Sequence, residues 1–322
     1  MSFQLLQQLI LLTLCILNCI DFQACNIHRC TDSQEHLNQL QYSCVKRCQR
    51  SKQNIIELEN TQNLEECFTL AKRAKGLALN YAPHSRRLMD NRDEKAQRSY
   101  QARQSHFWQQ PEEFFNCHVL QCPENATFKT LVNDVRFDYY SLYGAAPDSK
   151  NYSCVAEVGL FQLNTMKTNY YNAFMSCSKK KAILAHVASA QRTDALAKLL
   201  VSYNERIQSQ RNDVGQIYLA YIGLYMNRTT CEPSSEFLTA HNESLKCFLY
   251  RSWAPGHPRT GGNTSCVAIS TSQTWVTMSC EQELPFICEI LTSMLRKQSW
   301  NHLSFENDKK NVLYDECGIT VN

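Results

Sequence analysis

Hydrophobic spacing divides the chain into two patterned stretches around a polar interruption. In the first, Leu64, Cys67, Phe68, Ala71 and Ala74 recur at the three-and-four step that aligns side chains on one helical face. Asn63 stands just ahead and Glu66 follows three residues on, a capping box that predicts the helix start. Leu77, Leu79 and Tyr81 then alternate, predicting a strand with all three on one side. Residues 84–110 are polar and arginine-rich, read as a solvated insert. The sharper reading is a docking patch or a cleavage site at Arg86-Arg87. Pattern resumes at Phe114 to Cys122 and ends in an aromatic run, Val135 to Tyr143. Gly144 to Lys150 has the turn and small residues of a linker. In the second stretch, Gln191 to Glu205 places Leu196, Leu199, Leu200 and Tyr203 on one face of an amphipathic helix. Tyr171 to Cys177 reads as a helix end with Ala173 and Phe174 facing in. Short strands are expected at Ala182–Ser189, Tyr218–Leu224, Cys266–Ile269 and Trp275–Cys280.

Composition narrows the class. The 322 residues suffice for about two domains, and 43% apolar with 20% charged residues is a globular profile. A net charge of +3, from 33 basic and 30 acidic residues, gives no argument for nucleic acid or an anionic membrane. Seventeen cysteines point to an oxidising compartment. The apolar run Phe3 to Ile20 reads as a secretory signal peptide spanning residues 1–24, with a signal anchor as its rival. No later segment has the length of a membrane span, so none is expected after the leader. Sequons at Asn125, Asn151, Asn227, Asn242 and Asn263 predict solvent-facing loops open to N-glycosylation.

Taken in order, the segments of the second stretch resemble a C-type lectin-like domain over residues 154–290. The landmarks are Tyr171–Cys177, Tyr218-Leu-Ala-Tyr-Ile-Gly-Leu224, Trp253 before a Gly/Pro loop, Trp275-Val-Thr-Met-Ser-Cys280 and Pro285-Phe-Ile-Cys-Glu289. The resemblance implies an α+β fold with two helices, two small antiparallel sheets and a long loop. It also implies bridges Cys177–Cys288 and Cys266–Cys280. Sugar-binding members supply calcium ligands from a Glu-Pro-Asn triplet, a nearby glutamate and an Asn-Asp pair after the tryptophan. Here those positions hold His257-Pro258-Arg259 and Val276-Thr277, and no acidic residue lies between Arg251 and Cys280. Calcium takes six to eight oxygen ligands, so the expectation is no calcium at the principal site and no cofactor. The retained proline is expected to shape the backbone, as a cis bond.

Residues 25–143 carry a second resemblance. Gln62-Asn-Leu-Glu-Glu-Cys67 is similar to the helix start of PAN/apple modules, and Cys117-x4-Cys122 before an aromatic strand to their MANSC relatives. It implies a small disulfide-rich α+β module that binds proteins or glycans. Residues 144–153 then form the linker and 291–322 a polar C-terminal tail.

Removing Cys15 and Cys19 with the leader leaves an odd cysteine count. Cys231 and Cys247 lie in one extra segment without other local partners and are paired. Cys154 is expected to bond Cys117, Cys122 or another N-terminal cysteine. Cys317 is the candidate unpaired thiol, forming a disulfide-linked dimer or pairing within the N-terminal module.

The candidate ligand surface is the loop bearing Tyr250, Arg251, His257, Arg259 and Thr277, with Trp253 and Trp275 read as core. Arginine pairs with carboxylate or sulfate through two parallel hydrogen bonds. Dispersed histidines and the lack of H-E-x-x-H, G-x-S-x-G, P-loop or dinucleotide motifs leave no case for an enzyme. The expectation is a secreted, extracellular recognition protein whose partner is a protein, glycan or matrix ligand, bound without calcium. The alternatives are a carbohydrate-binding lectin with a non-standard site and a structural matrix or cuticle component.

Overall fold

The structure, a computed structural model, describes residue 30 and residues 40–84, 114–144, 152–209, 215–227, 236–259 and 264–293. The expected leader, nearly all of the polar insert, most of the linker and of the tail, Asn151, Cys231, Asn263 and Cys317 lie outside the described residues.

The N-terminal module is a five-stranded antiparallel sheet with one helix. Its strands are β1 (Ser43–Lys46), β3 (Ile55–Glu59), β4 (Ala78–Tyr81), β5 (Cys117–Leu120) and β7 (Asp138–Ser141), ordered β1-β7-β4-β5-β3. Helix α1 (Leu64–Arg73) starts where the cap predicts. Asn63 Oδ1 accepts the Glu66 amide at 2.9 Å, and Glu66 reaches back to the Gln62 amide at 2.8 Å. The helix buries Cys67, Leu70 and Ala71, and the Cys67–Cys117 disulfide fastens it to β5. Phe68 stacks on Tyr42 at 5.4 Å.

Strand β4 is buried on both faces, not one, because α1 packs over one face and a second sheet over the other. Its second face is covered by a small sheet of β2 (Gln49–Ser51) and β6 (Leu131–Asn133). Asn80 on that face exchanges two 2.9 Å hydrogen bonds with the Ser51 backbone. Buried Glu124 accepts from the Ser51 hydroxyl at 2.5 Å and from the Thr130 hydroxyl, which satisfies a carboxylate that would otherwise be costly to bury.

The C-terminal domain is also α+β. Its strands are β8 (Ser153–Val155), β9 (Gly159–Thr168), β10 (Ala182–Leu184), β11 (Leu219–Asn227), β12 (Glu236–Thr239), β13 (Thr264–Ser270), β14 (Trp275–Ser279) and β15 (Leu284–Ile290). Their main path is β14-β13-β11-β15-β9-β8, with β10 on β15 and β12 on β11. The parallel contact of Tyr221 with Phe286 joins the antiparallel halves into one network. Gly223 is required where β11 crosses closely: a Cβ there would lie 2.4 Å from both the Leu184 carbonyl oxygen and the Ala240 Cβ.

Helix α2 (Tyr170–Lys179) is capped by Asn169, and α3 (Ala190–Ser209) runs longer than the periodicity suggested. Helix α2 buries Ala173 and Cys177, one turn apart, whereas Phe174 is 44% exposed. The expectation that Phe174 faces in is therefore corrected; it lies about 100° around the helix from Ala173. Tyr218, expected to begin a core strand, is likewise exposed, and the strand starts at Leu219.

Two disulfides cross between the modules, Cys122–Cys154 and Cys30–Cys247. Backbone pairing adds one more link, Ser293 N–H to Leu142 O. One apolar cluster runs from Tyr42 and Leu79 through Tyr143 to Leu160 and Cys177.

Candidate ligand-binding loop

The loop between β12 and β13 is attached to the sheet by tryptophan. The Trp275 amide donates to the Ser252 carbonyl at 2.6 Å, and the Ala254 amide donates to the Trp275 carbonyl at 2.9 Å. Trp253 and Trp275 meet edge to face at 5.4 Å, with Phe237 4.9 Å from Trp253 and Tyr250 5.6 Å from Trp275. The Trp275 indole N–H donates to Thr193 Oγ1 on α3 at 3.2 Å. A buried indole with its donor satisfied is a rigid base for a displayed loop.

On that base a turn at Ala254–His257, with Gly256 at φ 76°, leads into a cis His257–Pro258 bond. The Thr277 amide donates to His257 Nδ1 at 3.1 Å, and Thr277 Oγ1 lies 2.7 Å from the same nitrogen. Thr277 Oγ1 also accepts the Arg259 amide at 2.9 Å. An Nδ1 that accepts from a backbone amide carries no proton, so the ring is neutral with its proton on Nε2. Burial, and then the charge of Arg259, lower the His257 pKa and favour that form.

The two positions where the resemblance expects oxygen ligands for one calcium ion are thus joined directly to each other. An imidazole nitrogen and a threonine hydroxyl already engaged in the protein do not fit calcium, which requires several carboxylate or amide oxygens. Among the described residues there is no group of three His, Cys, Asp or Glu side chains able to hold a metal ion.

The five candidate surface residues divide. Thr277 is 3% exposed, so its place on the ligand surface is corrected: it faces inward with Trp275, two residues away on the same side of β14. Arg251 clasps the carbonyls of Phe248 at 2.6 Å, Tyr250 at 2.7 Å and Leu245 at 2.5 Å, and burial lowers its pKa. It is a clamp on the loop's own backbone. Tyr250 is half-buried against Trp275. Arg259 is exposed, and His257 is half-exposed beside it.

Cys177 bonds Cys288 and Cys266 bonds Cys280, bracing α2 and the β13–β14 hairpin. The Cys231–Cys247 pairing is corrected: Cys247 bonds Cys30, across 217 residues. Cys154 bonds Cys122. Of the sequons, Asn125 and Asn242 are exposed. Asn125 Oδ1 accepts from Thr127, and Asn242 Oδ1 accepts the Tyr225 hydroxyl at 2.7 Å. Asn227 lies in β11 opposite Glu236.

The family model of the lectin C-type domain matches residues 166–290. The fold is accordingly C-type lectin-like over this span, preceded by the disulfide-rich α+β module. No curated protein sequence matches the chain. Among solved structures, the mouse scavenger receptor C-type lectin carbohydrate-recognition domain is 18% identical, with 44% of this chain and 95% of that chain covered and a TM-score of 0.34. Human lithostathine is 17% identical, with 45% and 99% covered and a TM-score of 0.35. A calcium-independent type II antifreeze protein is 15% identical, with 44% and 91% covered and a TM-score of 0.31. The residues matched by the family model include the loop from Tyr250 to Thr277. Among the described residues, no helix is long and apolar enough to cross a membrane.

Proposed function

We propose that this is a secreted recognition protein that binds an extracellular protein or matrix ligand through its lectin-like domain, without calcium and without performing a reaction. The observation carrying the proposal is the His257–Thr277–Arg259 hydrogen-bond set, whose members hold one another where the resemblance expects calcium ligands. A loop ordered by its own side chains presents His257 and Arg259 on a rigid base, so ligand binding incurs little ordering cost. Arg259 suits a carboxylate or sulfate on the partner.

Isothermal titration of the full chain with calcium, together with ligand capture from extracellular matrix extract with and without chelator, tests this. The expected result is no stoichiometric calcium heat and capture that survives chelation. A micromolar calcium site whose removal abolishes capture defeats the proposal. A glycan array run both ways separates a sugar ligand from a protein ligand.

A further inference from the structure

A second surface, on the N-terminal module and independent of the lectin-like loop, concentrates positive charge. The near-neutral sum of the chain conceals it. From Leu40 to Ile56 the sequence holds Lys46, Arg47, Arg50 and Lys52 and no acidic residue. The small β2–β6 sheet brings Lys129 and Arg136 to the same place. The Lys52 amide donates to the Thr130 carbonyl at 3.0 Å, which sets Lys52 beside Lys129. Lys46 Nζ lies 5.1 Å from the centre of the Phe128 ring, next to Lys129 in sequence. Ser51 is buried against Asn80, so by strand alternation Arg50 and Lys52 point outward.

The two arginines are held in place. Arg50 and Arg136 sit 5.7 and 5.8 Å from the centre of the Phe137 ring, and Arg136 lies 5.4 Å from that of Phe114. Asp134 bridges both, at 3.2 Å to Arg50 and 2.9 Å to Arg136, with its side chain 10% exposed. Asp138, nearly buried, accepts the Cys48 amide. Lys46, Arg47, Lys52 and Lys129 are exposed, and the nearby carboxylates are turned inward. The carboxylates of Glu57 and Glu59 lie on β3, at the opposite edge of the sheet, where Arg73 pairs with both.

We infer that this arm, from Lys46 to Lys52 with Lys129 and Arg136, is a binding surface for a linear sulfated polysaccharide. Several lysines on one exposed ribbon match a repeating anion, and the stacked guanidinium groups, paired to Asp134, brace the ribbon that carries them. The disulfides mark an oxidising compartment, whose linear polyanions are sulfated glycans rather than nucleic acid.

The test is surface plasmon resonance of the full chain on immobilised heparin. Four contacts, from Lys46, Arg50, Lys52 and Lys129, predict affinity falling about 50-fold from about 50 to about 200 mM salt, at a slope of about 0.7 per contact. The K46Q/K52Q/K129Q variant reduces that salt effect to about threefold. The K167Q/K179Q variant, altered on the C-terminal domain, retains the full effect. Lysine acetylation of the unmutated protein gives a readout independent of any variant: heparin slows reaction at Lys46, Lys52 and Lys129 but not at Lys167. Absence of heparin binding at the lower salt overturns the inference. So does an unchanged salt effect in the triple variant, or an equal loss in the control. Binding to phosphatidylserine vesicles without binding to heparin overturns the ligand class.

Discussion

Replacing Thr277 by valine removes one hydroxyl and almost no volume, which isolates the contact between Thr277 and the His257–Arg259 turn. In the native loop, Thr277 Oγ1 accepts the Arg259 amide at 2.9 Å and contacts His257 Nδ1 at 2.7 Å. In the variant, Nδ1 retains the Thr277 amide, but the Arg259 amide loses its acceptor. Leaving a partly buried donor unpaired costs about 1–3 kcal/mol, and access of water to exposed Arg259 places the expectation near the lower end, about 1–2 kcal/mol. The assay is hydrogen–deuterium exchange of the peptide containing Arg259, alongside urea unfolding. A local loss of about 1.4 kcal/mol speeds exchange about tenfold. Thr277→Ser keeps the hydroxyl and is expected to exchange like the native protein. If Thr277→Val leaves exchange unchanged, or Thr277→Ser accelerates it equally, the loop is not organised by this contact. Thr277→Asp returns a carboxylate and is still expected to give no calcium heat, because His257 and Arg259 supply no oxygen ligands from their side chains.

Other outcomes follow from particular residues. Half-buried His118 packs against Phe137, and burial, opposed by a hydrogen bond with the Phe115 carbonyl, lowers its pKa from 6.5 to about 4. The unfolded chain then binds the proton first, so stability present above pH 6.5 is lost as pH falls to about 4; at about 1.4 kcal/mol per tenfold change in affinity this approaches 3 kcal/mol. Urea midpoints across that range should flatten in His118→Phe, and parallel curves would contradict the assignment. Gly223→Ala should destabilise by about 1–3 kcal/mol through overpacking at Leu184 and Ala240, read as a drop in thermal midpoint. Peptide mapping under non-reducing conditions should recover Cys30 joined to Cys247; recovery of a Cys231–Cys247 peptide would restore the local pairing.

Much of the scaffold was legible because local chemistry dictates it. Asn63 and Glu66 marked the start of α1, and the Leu196–Leu199–Leu200 stripe marked α3. Strand β4 was found but its second buried face was not, since alternation in Leu77, Leu79 and Tyr81 says nothing of a sheet packed over Asn80. The burial of Thr277 is legible in the sequence: Trp275 is a core residue, and period two places Thr277 on the same side. Arg251 was read as a ligand group because its charge is visible in sequence, whereas the three carbonyls that occupy it depend on the loop's path. The Cys30–Cys247 bridge spans most of the chain, and spacing carries no information at that separation. The basic arm was lost in averaging, because a sum over the whole chain cancels charges that the fold keeps apart.

The paired cross-links Cys122–Cys154 and Cys30–Cys247 have a consequence for how this molecule responds to proteolysis. Each joins a cysteine before residue 145 to one after residue 151. A protease cutting the backbone between those positions would yield two polypeptides that still migrate and sediment as one. Such a nicked form would pass unnoticed through any preparation kept free of thiols and would come apart only on reduction.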